Sequence, residues 1–279
     1  MPSHYAHYYH GKEVTRILDD DIKKIINTDP HSVDAYLIGL QGPDILAFYR
    51  PYTNNRLNRL GRKIHRAPGA EFFSQALDTL REHQTPGAFS YLFGCLCHYM
   101  LDSACHPIVT RYMEQTDLTH AAIEREFDNY ILRISGKRPV GLDTQILLPQ
   151  DPALGDIISP FYPGISPRRI NASIASMSQI LGMMSSRSRR RREAVYNVLS
   201  RVPIEGVKNK KDMVVRTRQE PLADLSNTKL WDELNRCVGE TAQELDRLMD
   251  AILLGKPLSD RLQKNYLGLM PDEEDPADE

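Results

Sequence analysis

His98 and Asp102 stand four apart in the segment His98-Tyr-Met-Leu-Asp102-Ser-Ala-Cys-His106-Pro107. On a helix that spacing sets an imidazole and a carboxylate side by side on one face. His106 follows four residues on, and Pro107 behind it is expected to stop the helix and let that imidazole turn towards a neighbouring site. His120-Ala-Ala-Ile-Glu124 repeats the device on the next helical segment. Nitrogen and oxygen donors so arranged are what zinc ligation requires. A lone histidine on an apolar helix is usually a core histidine bonded to a neighbour, and a His–Glu pair on a solvated helix is usually surface decoration. Here five ligand-type residues fall within 27 positions. A buried His98–Asp102 pair would be costly without a partner, and a metal is the simplest one. All nine histidines also lie between His4 and His120, which marks this part of the chain as the site.

The elements that must position these groups read as helices. Val14, Ile17, Leu18, Ile22, Ile25 and Ile26 recur at three-to-four spacing, predicting a first helix. Ser32 to Leu40 predicts a second, stopped by Gln41-Gly42-Pro43, and Pro68-Gly69 opens a third carrying Phe72, Phe73, Ala76, Leu77 and Leu80. Pro86 starts a fourth, apolar on almost every side from Ala88 to Leu101, which reads as the buried central helix. A fifth covers about Leu118 to Ile134. Residues 136–167 hold six prolines and no period, predicting a long connection. Helices resume over Pro167–Met184, Arg192–Val202 and Asp224–Leu254. The fold class expected is all-α: a single domain over residues 1–271, with metal-bearing helices in 1–135 and C-terminal helices in 167–256.

The 279 residues are 41% hydrophobic and 26% charged, an ordinary globular balance that excludes wholesale disorder. No apolar run is long enough to span a membrane, and the opening residues carry no apolar signal core. Four cysteines without a CxxC do not make a disulfide framework, so a reducing, cytoplasmic location is expected. Thirty-five basic against 37 acidic residues hides an asymmetry, because six acids crowd residues 272–279. That segment is expected to be an acidic disordered tail. The remaining body is only modestly basic, which is not the charge of a dedicated nucleic-acid binder.

Gly94-Cys-Leu-Cys-His98-Tyr-Met-Leu-Asp102-Ser-Ala-Cys-His106-Pro107, followed by His120-Ala-Ala-Ile-Glu124-Arg-Glu-Phe-Asp, resembles the zinc-dependent phospholipase C family. That family is all-α, is related to the single-strand nucleases of the S1/P1 type, and holds up to three zinc ions. Carried over by position, the resemblance implies that His65, His98 and Asp102 ligate a first zinc and His106, His120 and Glu124 a second. A third would share Asp102 and take His7 with the nitrogen and carbonyl of a terminal residue, which is Pro2 if Met1 is removed. His4 and His10 lie close enough in sequence to stand in for His7. Asp44, in Gln41-Gly-Pro-Asp44-Ile, falls where the family keeps an acidic metal ligand or general base; it could equally cap a helix after Pro43.

The function the resemblance implies is phosphodiester hydrolysis. Metal ions neutralise charge growing on the phosphate oxygens, and water oriented or deprotonated by Asp44 attacks phosphorus in line with the leaving alkoxide. The expected substrate is a phospholipid or another small phosphodiester. An S1/P1-like nuclease with the same cluster and a non-catalytic helical metal-binding protein are the alternative readings. Arg187-Ser-Arg-Arg-Arg-Arg192 is the one basic run; it approaches an anionic membrane surface or a nucleic-acid backbone, or simply solvates the start of a helix.

Overall fold

Thirty residues, Pro86–Gln115, form the axis of the molecule. Thr85 starts this helix by accepting a hydrogen bond from the Ala88 backbone N–H, and Pro86 occupies the first turn, where its missing N–H costs nothing. The computed structural model describes residues 4–202 and 208–273, and among them there is no strand. The helices are α1 (His4–Ile17), α2 (Asp20–Ile26), α3 (Pro30–Gly39), α4 (Arg56–Arg66), α5 (Gly69–Glu82), α6 (Pro86–Gln115), α7 (His120–Ile134), α8 (Leu154–Ile158), α9 (Pro167–Met184), α10 (Arg189–Ser200) and α11 (Asp224–Leu254). Short 3-10 turns link them, the most consequential being Gly42–Phe48. The chain is all-α, as its periodicity predicts.

Helix α6 is buried all round from Ser90 to Ser103, enclosed by α1, α2, α3, α5, α7, α8 and α11. Its closest neighbour is α3. A Cβ added at Gly94 would stand 2.3 Å from the Tyr36 carbonyl oxygen, and one at Gly39 would stand 2.3 Å from that of Tyr91. The two backbones therefore touch where only glycine fits. One continuous hydrophobic cluster runs from Tyr5 to Tyr266; Met184, Leu199 and Val214 form a smaller one beneath α9 and α10.

Three expectations need correction. Pro107 does not end α6, which continues to Gln115. The proline removes one helical hydrogen bond, but burial of Val109 and partial burial of Ile108, Tyr112 and Met113 offset that cost. The periodicity from Val14 to Ile26 spans two helices, broken at Asp19, where ψ reaches 149°; the first of them reaches back to His4. Residues 136–167 are a packed connection: α8 and two 3-10 turns bury Leu147, Leu148, Leu154, Ile158 and Phe161. The proposed acidic tail lies outside the described residues from 274 onward.

Candidate metal centre

Four elements bring the titratable groups together. Helix α1 supplies His7, the 3-10 turn Gly42–Phe48 supplies Asp44, α4 supplies His65, and α6 supplies His98, Asp102 and His106. Helix α7 adds His120 and Glu124. The N-terminus of α1 is seated on α7, since Asp128 accepts hydrogen bonds from the Tyr5 and Ala6 backbone N–H groups at 3.0 and 2.8 Å. That anchor aims the buried face of α1, which carries His7, at α6.

The side chains form three groups, in each of which the donor atoms lie within 4.8 Å of one another. His7 and His98 flank Asp102: His7 Nε2 is 3.2 Å from Oδ1 and His98 Nε2 is 3.3 Å from Oδ2. Asp44 and His65 join His98 in the second group, with His65 Nε2 2.9 Å from Asp44 Oδ1 and 3.9 Å from Asp102 Oδ2. His106, His120 and Glu124 make the third, in which His120 Nε2 lies 2.7 Å from Glu124 Oε1. His106 connects this group to the rest, its Nδ1 being 4.0 Å from Asp102 Oδ1.

The orientation of the rings is fixed from behind. The Nδ1–H of His98 donates to the Leu40 carbonyl at 3.2 Å, that of His65 to Gly61 at 2.8 Å and that of His106 to Asp102 at 3.0 Å. A carbonyl oxygen only accepts, so in each neutral ring the lone pair is left on Nε2, facing inward. The inward nitrogens of His7, His65 and His98 are not hydrogen bonded. His7 Nε2, His65 Nε2, His98 Nε2 and all four carboxylate oxygens of Asp44 and Asp102 are buried without a hydrogen-bond partner despite their mutual approach. Lone pairs converging on a common space, with no proton aligned between them, fit a cation there. The donor set, nitrogen and carboxylate oxygen without sulfur, is one that suits zinc.

A model of the family described as zinc dependent phospholipase C matches residues 6–162. The chain belongs to the zinc-dependent phospholipase C family. No curated protein and no solved structure matches it. The matched span contains every group from His7 to Glu124 and stops before α9, so the zinc-dependent phospholipase C resemblance covers the ligand bed and leaves α9 to α11 to be read from the structure alone.

Burial sets the charge states. It pushes the His7 imidazole down to about 4, lowers His106 strongly and takes His120 to about 3, so these rings are neutral near pH 7 and keep their lone pairs. Burial alone would raise the Asp102 carboxyl, but His98 and His106 beside it, with His7 close by, hold it well below the usual carboxylate range. Asp44 is likewise held low by His65 against the effect of burial. Burial raises Glu124 well above its ordinary value.

Two residues weighed as substitutes for His7 are occupied elsewhere. His4 Nδ1 lies 3.0 Å from Gln41 Oε1, and His10 Nε2 lies 3.2 Å from Thr241 Oγ1. Asp44 makes no capping bond. Pro2 lies outside the described residues. The cysteines keep away from the donor groups; all four are free and buried. Sequence reasoning missed two supports. Gly42, at φ +52°, passes so close to His98 that a Cβ would stand 2.3 Å from its ring. Tyr266, fully buried, lays its ring 4.9 Å from His65 and 5.9 Å from His98 between centroids, while its backbone N–H donates to the His65 carbonyl at 3.2 Å. Nothing in the sequence around Tyr266 announces that role.

Proposed function

We propose that the protein is a zinc-dependent phosphodiesterase of the phospholipase C type, hydrolysing a phospholipid or small phosphodiester with two or three zinc ions. The observation that carries this reading is the set of buried, inward-facing lone pairs on His7, His65, His98, Asp44 and Asp102. His65, His98 and Asp102, with Asp44 beside them, would hold one ion, and His106, His120 and Glu124 another. His7 and Asp102 would contribute to a third, together with Pro2. Zinc bound there supplies Lewis acidity towards the phosphate oxygens and lowers the pKa of water.

The residues' own part is to hold that arrangement. The Leu40, Gly61 and Asp102 carbonyls fix three imidazoles, and Asp44 is the carboxylate positioned to orient or accept a proton from the attacking water. Its buried, low-pKa state supplies a base that is already ionised.

A lipid is favoured over a nucleic acid by the cavity beside Glu124. Leu132, Leu142, Leu147, Leu181 and Met184 line it, together with His4, Glu124, Arg125, Asp128 and Asn129. The apolar share of that wall suits the hydrocarbon part of a lipid. The exposed arginines Arg187, Arg189, Arg190 and Arg191 at the start of α10 support peripheral contact with an anionic membrane. Among the described residues no helix is long and apolar enough to cross one. The four free thiols accord with a reducing, cytoplasmic setting.

The test is elemental analysis of the purified protein with hydrolysis measured in parallel on phosphatidylcholine and single-stranded DNA. Two or three zinc equivalents and release of phosphocholine are expected. Cleavage of DNA alone would establish the nuclease reading, and zinc without either activity the non-catalytic one.

A further inference from the structure

Lys210 belongs to the 3-10 turn Asn209–Met213, outside the span matched by the family model. It shares an open groove with His120, Thr119, Leu118, Asp117 and Met113. His120 is the most open of the candidate ligands, with 36% of its side chain exposed against 15% for His65 and none for Asp102, so this groove is where solvent reaches the donor groups. Lys210 Nζ lies 5.8 Å above the Phe48 ring, and Phe48 ends the same turn that carries Asp44. The ammonium therefore stands between the His120 end of the centre and the Asp44 turn.

Its surroundings are unusual for a cation. Burial lowers its pKa, yet no ion pair compensates: among the described residues its one contact of electrostatic character is the face of Phe48. Two other buried cations are satisfied. Arg125 bonds Glu126 at 2.9 Å, and Arg192 donates to the Ser186 and Arg187 carbonyls. The turn that carries Lys210 is also pinned. Thr119 Oγ1 donates to Asp212 Oδ2 at 3.0 Å, and Arg125 donates to the Asp212 carbonyl. A partly dehydrated ammonium held rigidly without a counter-charge is a cost to the fold, and one that an arriving anion relieves.

We propose that Lys210 is a substrate-binding residue that grips an anionic phosphate oxygen of the phosphodiester, and of the phosphomonoester product, at the His120 rim of the centre. This rests on the phosphodiesterase reading above. Phe48 keeps the ammonium from folding back, and the lysine's point charge suits an oxygen whose position shifts as the phosphorus centre inverts.

The experiment compares zinc-loaded wild type, Lys210→Met and Lys210→Arg by calorimetric titration with inorganic phosphate, with zinc content and KM measured on the same samples. Lys210→Met keeps the apolar stem over Phe48, so a loss specific to charge is separated from a loss of packing. Phosphate affinity about tenfold lower or worse and a raised KM are expected for Lys210→Met, with zinc unchanged and Lys210→Arg closer to wild type. Unchanged phosphate affinity in zinc-loaded Lys210→Met overturns the proposal, and equal losses in Met and Arg variants do so as well. Wild type that carries no zinc would instead overturn the phosphodiesterase reading on which it rests.

Discussion

The imidazoles of His7 and His98 stack face to face, 4.2 Å between centroids and 26° from parallel, although they come from opposite ends of the metal-bearing half of the chain. Each turns its Nε2 to a different oxygen of Asp102. Two stacked imidazolium ions at that distance would repel strongly in a buried setting, and burial pushes the His7 ring down to about 4, so it is neutral near pH 7. Asp102 is the carboxylate that both rings face.

Asp102→Ala should for that reason remove more zinc than Glu124→Ala. Glu124 belongs to one donor group, whereas Asp102 lies within 4.0 Å of nitrogen atoms of His7, His65, His98 and His106. Metal analysis of both variants decides it. Full zinc in Asp102→Ala would rule out a shared carboxylate.

Removing the metal should cost stability as well as activity. Asp44 and Asp102 carry four buried oxygens without hydrogen bonds, and a cation that binds only the folded chain stabilises it by about 4 kcal/mol at a thousandfold excess over Kd. For a chain of this size that is a fall of roughly 10 °C in melting temperature on adding a chelator. A melting curve indifferent to chelator would mean that the helices close without the ion.

Metal-free protein should also weaken as pH falls. Burial takes His10 from 6.5 down to about 3, so between those values the unfolded chain holds a proton that the folded chain does not. Its share of stability is complete above about pH 6.5 and declines through that window. His10→Gln should flatten the urea-midpoint profile between pH 6.5 and 4. His10 is not in a donor group, so zinc content should stay unchanged.

The α3–α6 contact makes a prediction about packing. Gly94→Ala presses a methyl into the Tyr36 carbonyl and the Gly39 backbone, neither of which can rotate away, and should destabilise by about 1–3 kcal/mol. Gly239→Ala in α11 meets nothing within 4 Å and should stabilise slightly, by roughly 0.5–1 kcal/mol. Denaturant midpoints of the two variants read both signs. A neutral Gly94→Ala would mean that the helices are free to separate.

The ligand spacing on α6 and α7 is legible in the sequence because a helix converts four residues into one face, and α11 follows its apolar period from Asp224 to Leu254. The helices that carry His7 and His65 are not legible. The buried side of α1 sets His4, His7 and His10 among Tyr5, Ala6 and Val14, so it does not read as an apolar stripe. In α4 only Leu57, Asn58 and Gly61 are buried among basic residues, too few for a recognisable stripe. Tyr266 and Lys210 act through tertiary placement across more than 80 residues, which no local pattern encodes.

Tyr266 gives the centre a history as well as a wall. Its segment is tied to the ligand bed by three kinds of bond: Tyr266 N–H to the His65 carbonyl, Gly69 N–H to the Lys264 carbonyl, and Tyr99 Oη–H to the Arg261 and Lys264 carbonyls. During synthesis every residue from His7 to Glu124 is made before it. At 5–20 residues per second the ribosome needs roughly ten to thirty seconds to travel from Glu124 to Tyr266. For that interval the His65 side of the nascent bed stands open to whatever ions the surroundings supply. Docking of the Tyr266 segment closes that side.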